Sequence, residues 1–237
     1  MTTKPGDLVK RVCSIASRMP ELRIPPGFIA SCQPVRGGWF DEAEIVARYV
    51  RVCEAEGAGA VRIESLRDLE ATRRVTDLPI IGLVKRSVPG SEVFITPSVG
   101  DVANVIAAGA DVVAFDATLR PRPESWLDLL EATREAGRES MADIATFEEG
   151  IAAWNAGCTY VGTTLSGYVE GTPRLDGPDL DLVERLATAG VRTIAEGRFA
   201  TPAQAKQAMH LGAFGVTIGT AISRPELLAR GFARALE

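Results

Sequence analysis

Histidine is almost absent from this chain: among 237 residues only His210 carries an imidazole. His210 falls late in an expected helix over 202–211, away from any strand end, which excludes Ser-His-Asp catalysis, and a lone imidazole argues against a zinc site. Acid–base chemistry therefore has to come from Lys, Glu, Asp or Tyr. Cysteine is sparse too. Cys13, Cys32, Cys53 and Cys158 stand far apart with no CxxC pair, which reads as reduced thiols in a cytoplasmic protein. No apolar run approaches the roughly 20 residues that cross a bilayer, and no hydrophobic signal segment opens the chain, so no membrane partner is expected. A basic excess is missing as well. The net charge of −5 argues against nucleic acid, yet leaves room for one basic pocket that takes a small acidic substrate.

What the chain has is a recurring joint in which a helix ends in glycine and an apolar run follows. It appears as GAGAVRIE (57–64), AAGADVVAFD (107–116), NAGCTYVGT (155–163), TAGVRTIAE (188–196) and HLGAFGVTIG (210–219). These runs are β-branched and nearly continuous in apolar character, as parallel strands covered on both faces require. FIASCQ (28–33), PIIGLVKR (79–86) and ESMADI (139–144) bring the number of strands to eight. Helical periodicity fills the gaps: Ile45, Val46, Tyr49, Val50 and Cys53 share one face of 42–55. Thr146 with Glu149 forms a capping box for 147–156, Asp101 is the expected N-cap of 102–108, and Thr201-Pro202 opens the helix that stops at Gly212.

Eight alternating units predict an α/β fold, a single (β/α)8 TIM barrel over 28–237. The absence of GxGxxG after the first strand weakens a dinucleotide-binding sheet. Residues 1–27 read as a helical extension, helical over 7–19, that plugs the barrel bottom or packs on a partner subunit. In such a barrel the chemistry lies at the C-terminal strand ends. Those ends are Gln33, Arg62 with Glu64, Lys85 with Arg86, Asp116, Asp143, Thr163 with Thr164, Glu196 and Gly219. Lys85 follows a buried run, so its ammonium is expected at the mouth, where burial lowers its pKa and a carboxylate such as Glu196 raises it. The adjacent joints at Gly197 and at Gly219-Thr220, followed by Arg224, have the form of a phosphate site.

The motifs SCQP (31–34), VRIE (61–64), PIIGLVKR (79–86), ITPS (95–98), DATLRPRPE (116–124), GTTLSGY (162–168), IAEGR (194–198), TPAQA (201–205) and VTIGTAISRPE (216–226) stand in one order along the chain. In these motifs the sequence closely resembles the N-acylglucosamine-6-phosphate 2-epimerases of sialic acid catabolism. The resemblance implies interconversion of N-acetylmannosamine 6-phosphate and N-acetylglucosamine 6-phosphate at C2, with no cofactor and no metal. It implies Lys85 and Glu196 as the proton-transfer pair, and Gln33, Arg62 and Asp143 as sugar-orienting or charge-stabilising residues. Thr163, Ser166 and Tyr168 would contact the sugar or close over it. Gly197, Arg198, Gly219, Thr220 and Arg224 would clamp the phosphate, and a homodimer is the expected assembly.

Two departures stand out. Trp39 and Phe40 make the loop after SCQP more aromatic than the resemblance predicts, as a lid, a determinant of acyl tolerance, or packing on an adjacent helix. The N-terminal segment is longer by about fifteen residues. Two other readings stay open: a Schiff-base aldolase or lyase using Lys85 as nucleophile, and a non-catalytic sugar-phosphate sensor.

Overall fold

The computed structural model describes residues 22–237. The expected helix over 7–19 lies outside them, as does Cys13. Eight parallel strands close into a barrel in chain order, with β1 (Gly27–Ser31) paired to both β2 (Ala60–Glu64) and β8 (Gly215–Ile218). Between them lie β3 (Ile80–Leu83), β4 (Val112–Asp116), β5 (Glu139–Asp143), β6 (Tyr160–Gly162) and β7 (Thr193–Glu196). The helices are α1 (Ala43–Ala55), α2 (Leu66–Arg73), α3 (Val99–Ala107), α4 (Trp126–Glu135), α5 (Phe147–Asn155), α6 (Leu180–Thr188) and α7 (Pro202–His210). A short α8 (Thr220–Ser223) and a final α9 (Pro225–Ala235) follow β8. The (β/α)8 architecture expected from the alternation is the one found.

Side chains alternate across each strand, so a barrel sorts them into an inner and an outer set. Ile29, Ala60, Ile81, Val112, Ala114, Met141, Tyr160 and Ile194 fill the interior together with Ile24. Val61, Ile63, Val113, Phe115, Ala142 and Val161 meet the helices, including Val46 and Val50 of α1. Residues 22–26 cover the barrel bottom: the buried Ile24 N–H donates to Tyr160 Oη at 3.2 Å, and that hydroxyl donates to Glu139.

Local signals mostly place the helices. The Thr146–Glu149 capping box forms, as does a second one between Thr201 and Gln204, and Gly212 ends α7 at φ +96°. Asp101 is not the cap of α3. Ser98 takes that place and accepts the Asp101 N–H, so the helix begins at Val99. The Asp101 carboxylate, one turn inside, turns instead to Arg86. Phe40 packs against Tyr49 of α1 with ring centroids 6.1 Å apart, whereas Trp39 is exposed.

Candidate active site

A cavity of about 680 Å³ opens at the C-terminal ends of the strands, within the usual range for small-molecule sites. Much of its polar lining comes from the inner sets of β1, β2, β3, β6, β7 and β8, continued just past the strand ends: Ser31 and Gln33, Arg62, Lys85, Thr164, Glu196 and Thr217. Below this layer the interior is apolar. The chemistry is therefore confined to the mouth.

Arg62 is the centre of the layer. Its side chain is 1% exposed and spans the barrel, with Nη1 donating to Asp143 Oδ1 at 3.0 Å and Nη2 to Oδ2 at 2.6 Å. Nη1 also lies 3.1 Å from Glu196 Oε2. Thr164 donates to Asp143 Oδ1 at 2.6 Å, which completes the pairing of that buried carboxylate. Burial works against the Arg62 charge, but Asp143 and Glu196 outweigh it and hold the guanidinium firmly protonated.

Glu196 is in a poorer position. Its Oε2 is buried without a well-aligned hydrogen bond. Desolvation pushes its carboxyl above the ordinary carboxylate range, opposed by Arg62 and reinforced by the negative charge of Asp143. Lys85 moves the other way. Its Nζ donates to Gln33 Oε1 at 2.6 Å and lies 3.5 Å from Glu64 Oε2. Burial lowers its pKa most; Glu64 opposes this, Arg62 and Arg224 add to it, and Glu196 opposes it. A lysine eased toward neutrality and a carboxyl eased toward its acid form thus line one cavity, an arrangement suited to moving a proton.

At the other end, Gly197, Gly219, Thr220 and Arg224 line the same cavity. The Arg224 Nε donates to the Gln33 carbonyl at 2.8 Å, which fixes the guanidinium at the rim. The structure thus brings together Gln33, Arg62, Lys85, Tyr168, Glu196, Gly197, Arg198, Gly219, Thr220 and Arg224, with Asp143 held beneath by Arg62.

Three side chains are engaged elsewhere. Thr163 belongs to the outer set, and its hydroxyl donates to the Glu196 carbonyl and accepts the Glu196 N–H, stitching β6 to β7. Ser166 is buried and donates to Asp179 at 2.5 Å. Arg198 lines the cavity, but its Nε donates to the Gly177 carbonyl and its Nη1 to that of Ser166, each at 2.7 Å. Its guanidinium also sits 4.9 Å from the centre of the Tyr168 ring, so it holds the loop after β6 in place. Two strand-end residues are likewise engaged elsewhere: Arg86 pairs with Asp101, and Asp116, buried and absent from the cavity lining, is locked by Arg120 and Arg122.

Three polar residues of the strand-end layer carried no assigned role in the sequence, Ser31, Thr164 and Thr217. The alternation relates each to its inward neighbours, since Ser31 shares parity with Gln33, Thr164 with Tyr160 and Gly162, and Thr217 with Gly219. Phe94 and Ile95 had no such signal. They reach the cavity because the loop after β3 folds back, pairing Ile95 with Lys85 in an antiparallel bridge.

A family model described as "Putative N-acetylmannosamine-6-phosphate epimerase" matches residues 46–237. A protein of Yersinia pestis (strain Pestoides F) named "Putative N-acetylmannosamine-6-phosphate 2-epimerase" is 46% identical over 215 residues, covering 91% of this chain and 92% of its own. One of the same name from Edwardsiella ictaluri is 46% identical over 209 residues, 88% of each. The solved N-acetylmannosamine-6-phosphate 2-epimerase of Clostridium perfringens superposes with a TM-score of 0.85 at 36% identity, over 88% of this chain and 92% of that one. A thiamine phosphate pyrophosphorylase from Pyrococcus furiosus, at 17% identity and a TM-score of 0.57 over 84% and 87% of the two chains, shares the barrel alone. The chain belongs to the N-acetylmannosamine-6-phosphate 2-epimerase family.

Proposed function

We propose that this protein interconverts N-acetylmannosamine 6-phosphate and N-acetylglucosamine 6-phosphate by removing and returning the proton at C2. The observation that carries the reading is the opposed placement of Lys85 and Glu196 around a buried Arg62. The C2 hydrogen is acidic because it lies α to C1, an aldehyde in the open-chain sugar. When the Lys85 amine takes that proton, the C–H electron pair forms the C1–C2 double bond and negative charge collects on O1. Arg62 supplies donors for that charge in a site where water screens little. The proton returned to the opposite face comes from Glu196, whose carboxyl burial favours in its acid form. The two groups exchange roles in the reverse direction. The 6-phosphate is assigned to Gly197, Gly219, Thr220 and the Arg224 guanidinium, at the usual phosphate end of such barrels. Tyr168 and Gln33 flank the sugar.

The test is turnover of N-acetylmannosamine 6-phosphate in deuterated water, followed by NMR at C2. Deuterium enters C2 of the product, and Lys85→Met abolishes both turnover and exchange. Turnover by Lys85→Met at the parent rate overturns the assignment. Borohydride added with substrate leaves Lys85 unmodified; a reduced adduct there would mark a Schiff-base enzyme instead.

The proposed assembly is a homodimer. No residue of α9 is buried; Leu228 and Phe232 stand exposed one turn apart on it, and Leu236 stands exposed just past its end. Beside it, Phe28, Ala205, Met209, Val216, Ile218 and Ile222 line an apolar groove of about 510 Å³ over β8 and β1. That is where a barrel's last helix ordinarily packs, and the α9 of a second copy has the apolar face to fill it. Light scattering reports a dimer, and Phe232→Glu reports a monomer; a monomeric parent protein overturns the assembly. A cytoplasmic location accords with this metabolic role, and among the described residues no helix is long and apolar enough to cross a membrane.

A further inference from the structure

Glu64 ends β2 on the same face as Arg62, two residues earlier, yet it does not line the substrate cavity. It lines a separate pocket of about 220 Å³ between the loops after β1 and β2, alongside Gln33, Arg36 and Arg67. From there its Oε2 comes within 3.5 Å of Lys85 Nζ. Among the described residues no other carboxylate lies at ion-pair distance from that ammonium; Glu196 acts on it from farther across the cavity. Arg36 braces the arrangement. Its Nη2 lies 2.8 Å from Glu64 Oε1 and donates to the Lys85 carbonyl at 3.0 Å, so it holds the carboxylate and the lysine backbone in one frame.

We propose that Glu64 is a positioning residue for the reaction, holding Lys85 from the side away from the substrate and setting how tightly it keeps its proton. The inference rests on Lys85 as the acid–base group of the proposed function. Such a group has to take a proton and give it back, so it works best when its affinity lies near the working pH. The groups facing Lys85 are Glu64 and Arg62 from β2, Arg224 from the segment before α9, and Glu196 from β7. Burial and the two guanidinium groups all favour the neutral amine. Glu64 is the main opposing charge, and without it the amine becomes a willing base but a poor acid.

The chain has four lysines, Lys4, Lys10, Lys85 and Lys206, so lysine labelled with carbon-13 at Cε gives few enough signals to follow Lys85 directly. Its signal is the one missing from Lys85→Met. In Glu64→Gln, the Lys85 titration moves down by about one unit, the scale of an opposite charge at this distance. The limb of kcat/KM that Lys85 sets moves down with it, while Glu64→Asp, one methylene shorter, gives a smaller displacement in the same direction. Should Glu64→Gln fold poorly by its thermal transition, Glu64→Asp carries the test. An unmoved or raised Lys85 titration, or a loss of rate equal at every pH, overturns the proposal. If the titration moves and the limb of kcat/KM does not, the Glu64–Lys85 coupling stands and the assignment of Lys85 as the acid–base group fails.

Discussion

Arg62 and Asp143 meet across the barrel from β2 and β5, two hydrogen bonds at 3.0 and 2.6 Å between side chains 1% and 0% exposed. The pair uses the short side of the guanidinium fork and leaves Nη1 within reach of Glu196 as well. One buried cation thus faces two carboxylates. The surplus negative charge is part of why Glu196 holds its proton more strongly than an ordinary glutamate.

Removing one member strands the other in a medium that solvates charge badly. Asp143→Ala is expected to lower unfolding free energy by about 3–5 kcal/mol, the usual range for breaking a buried pair, and to abolish turnover. Urea unfolding reads the first and the C2 exchange assay the second. A loss below about 1 kcal/mol would mean that the pair is solvated in solution.

Lys85 shows the opposite balance, since burial eases it below the ordinary lysine value of 10.5. A basic group depressed on folding costs stability at any pH below its unfolded value, so an inactive Lys85→Met variant is expected to be the more stable protein. At neutral pH its Tm rises by about 2–4 °C for each kcal/mol relieved. Differential scanning calorimetry decides, and a lower Tm would show that the contacts to Gln33 and Glu64 outweigh desolvation.

Glu196 carries the matching pH signature. Its folded carboxyl titrates above the ordinary 4.5, so its share of stability is complete below that value and is lost as pH rises through the raised one. Glu196→Gln removes the loss, and the Tm difference between variant and parent widens in favour of the variant as pH rises above the ordinary 4.5. In the parent, kcat/KM requires Lys85 without its proton and Glu196 with it, so it falls toward both extremes of pH. A Tm difference that stays constant with pH would show an unshifted carboxyl.

Gly162 ends β6 directly over this network. A Cβ there would press into Met141 Cε and come within 3.1 Å of Asp143 Oδ1. Gly162→Ala is expected to cost about 1–3 kcal/mol through overpacking and to lower kcat by displacing the Arg62–Asp143 pair. Chemical unfolding with steady-state kinetics checks both, and a variant with unchanged kcat would separate the network from catalysis.

Much of this was readable from the chain itself. The glycine joints and eight apolar runs specify the alternation, because strand and helix periodicity are local and each glycine stop is read within a few residues. The capping box at Thr146 and the N-terminus at Thr201-Pro202 are likewise local. Asp101 shows the limit: Ser98 and Asp101 are both good caps, and the choice depends on Arg86, fifteen residues away in sequence, drawing the aspartate off. The same limit separates Thr164 from Thr163. Both are polar at one strand end; alternation groups Thr164 with Gly162 and Tyr160, and closure of the barrel decides that this group is the one turned inward.

Sequence alone determined the barrel, the scarcity of imidazole and the set of polar strand ends from which the chemistry had to be drawn. Tertiary structure decided which of those ends meet. Closure puts Arg62 between Asp143 and Glu196, residues 81 and 134 positions away along the chain. It also decided the sign of the shift at Lys85, because desolvation, Glu64, Arg62 and Arg224 compete there and their balance depends on burial and distance.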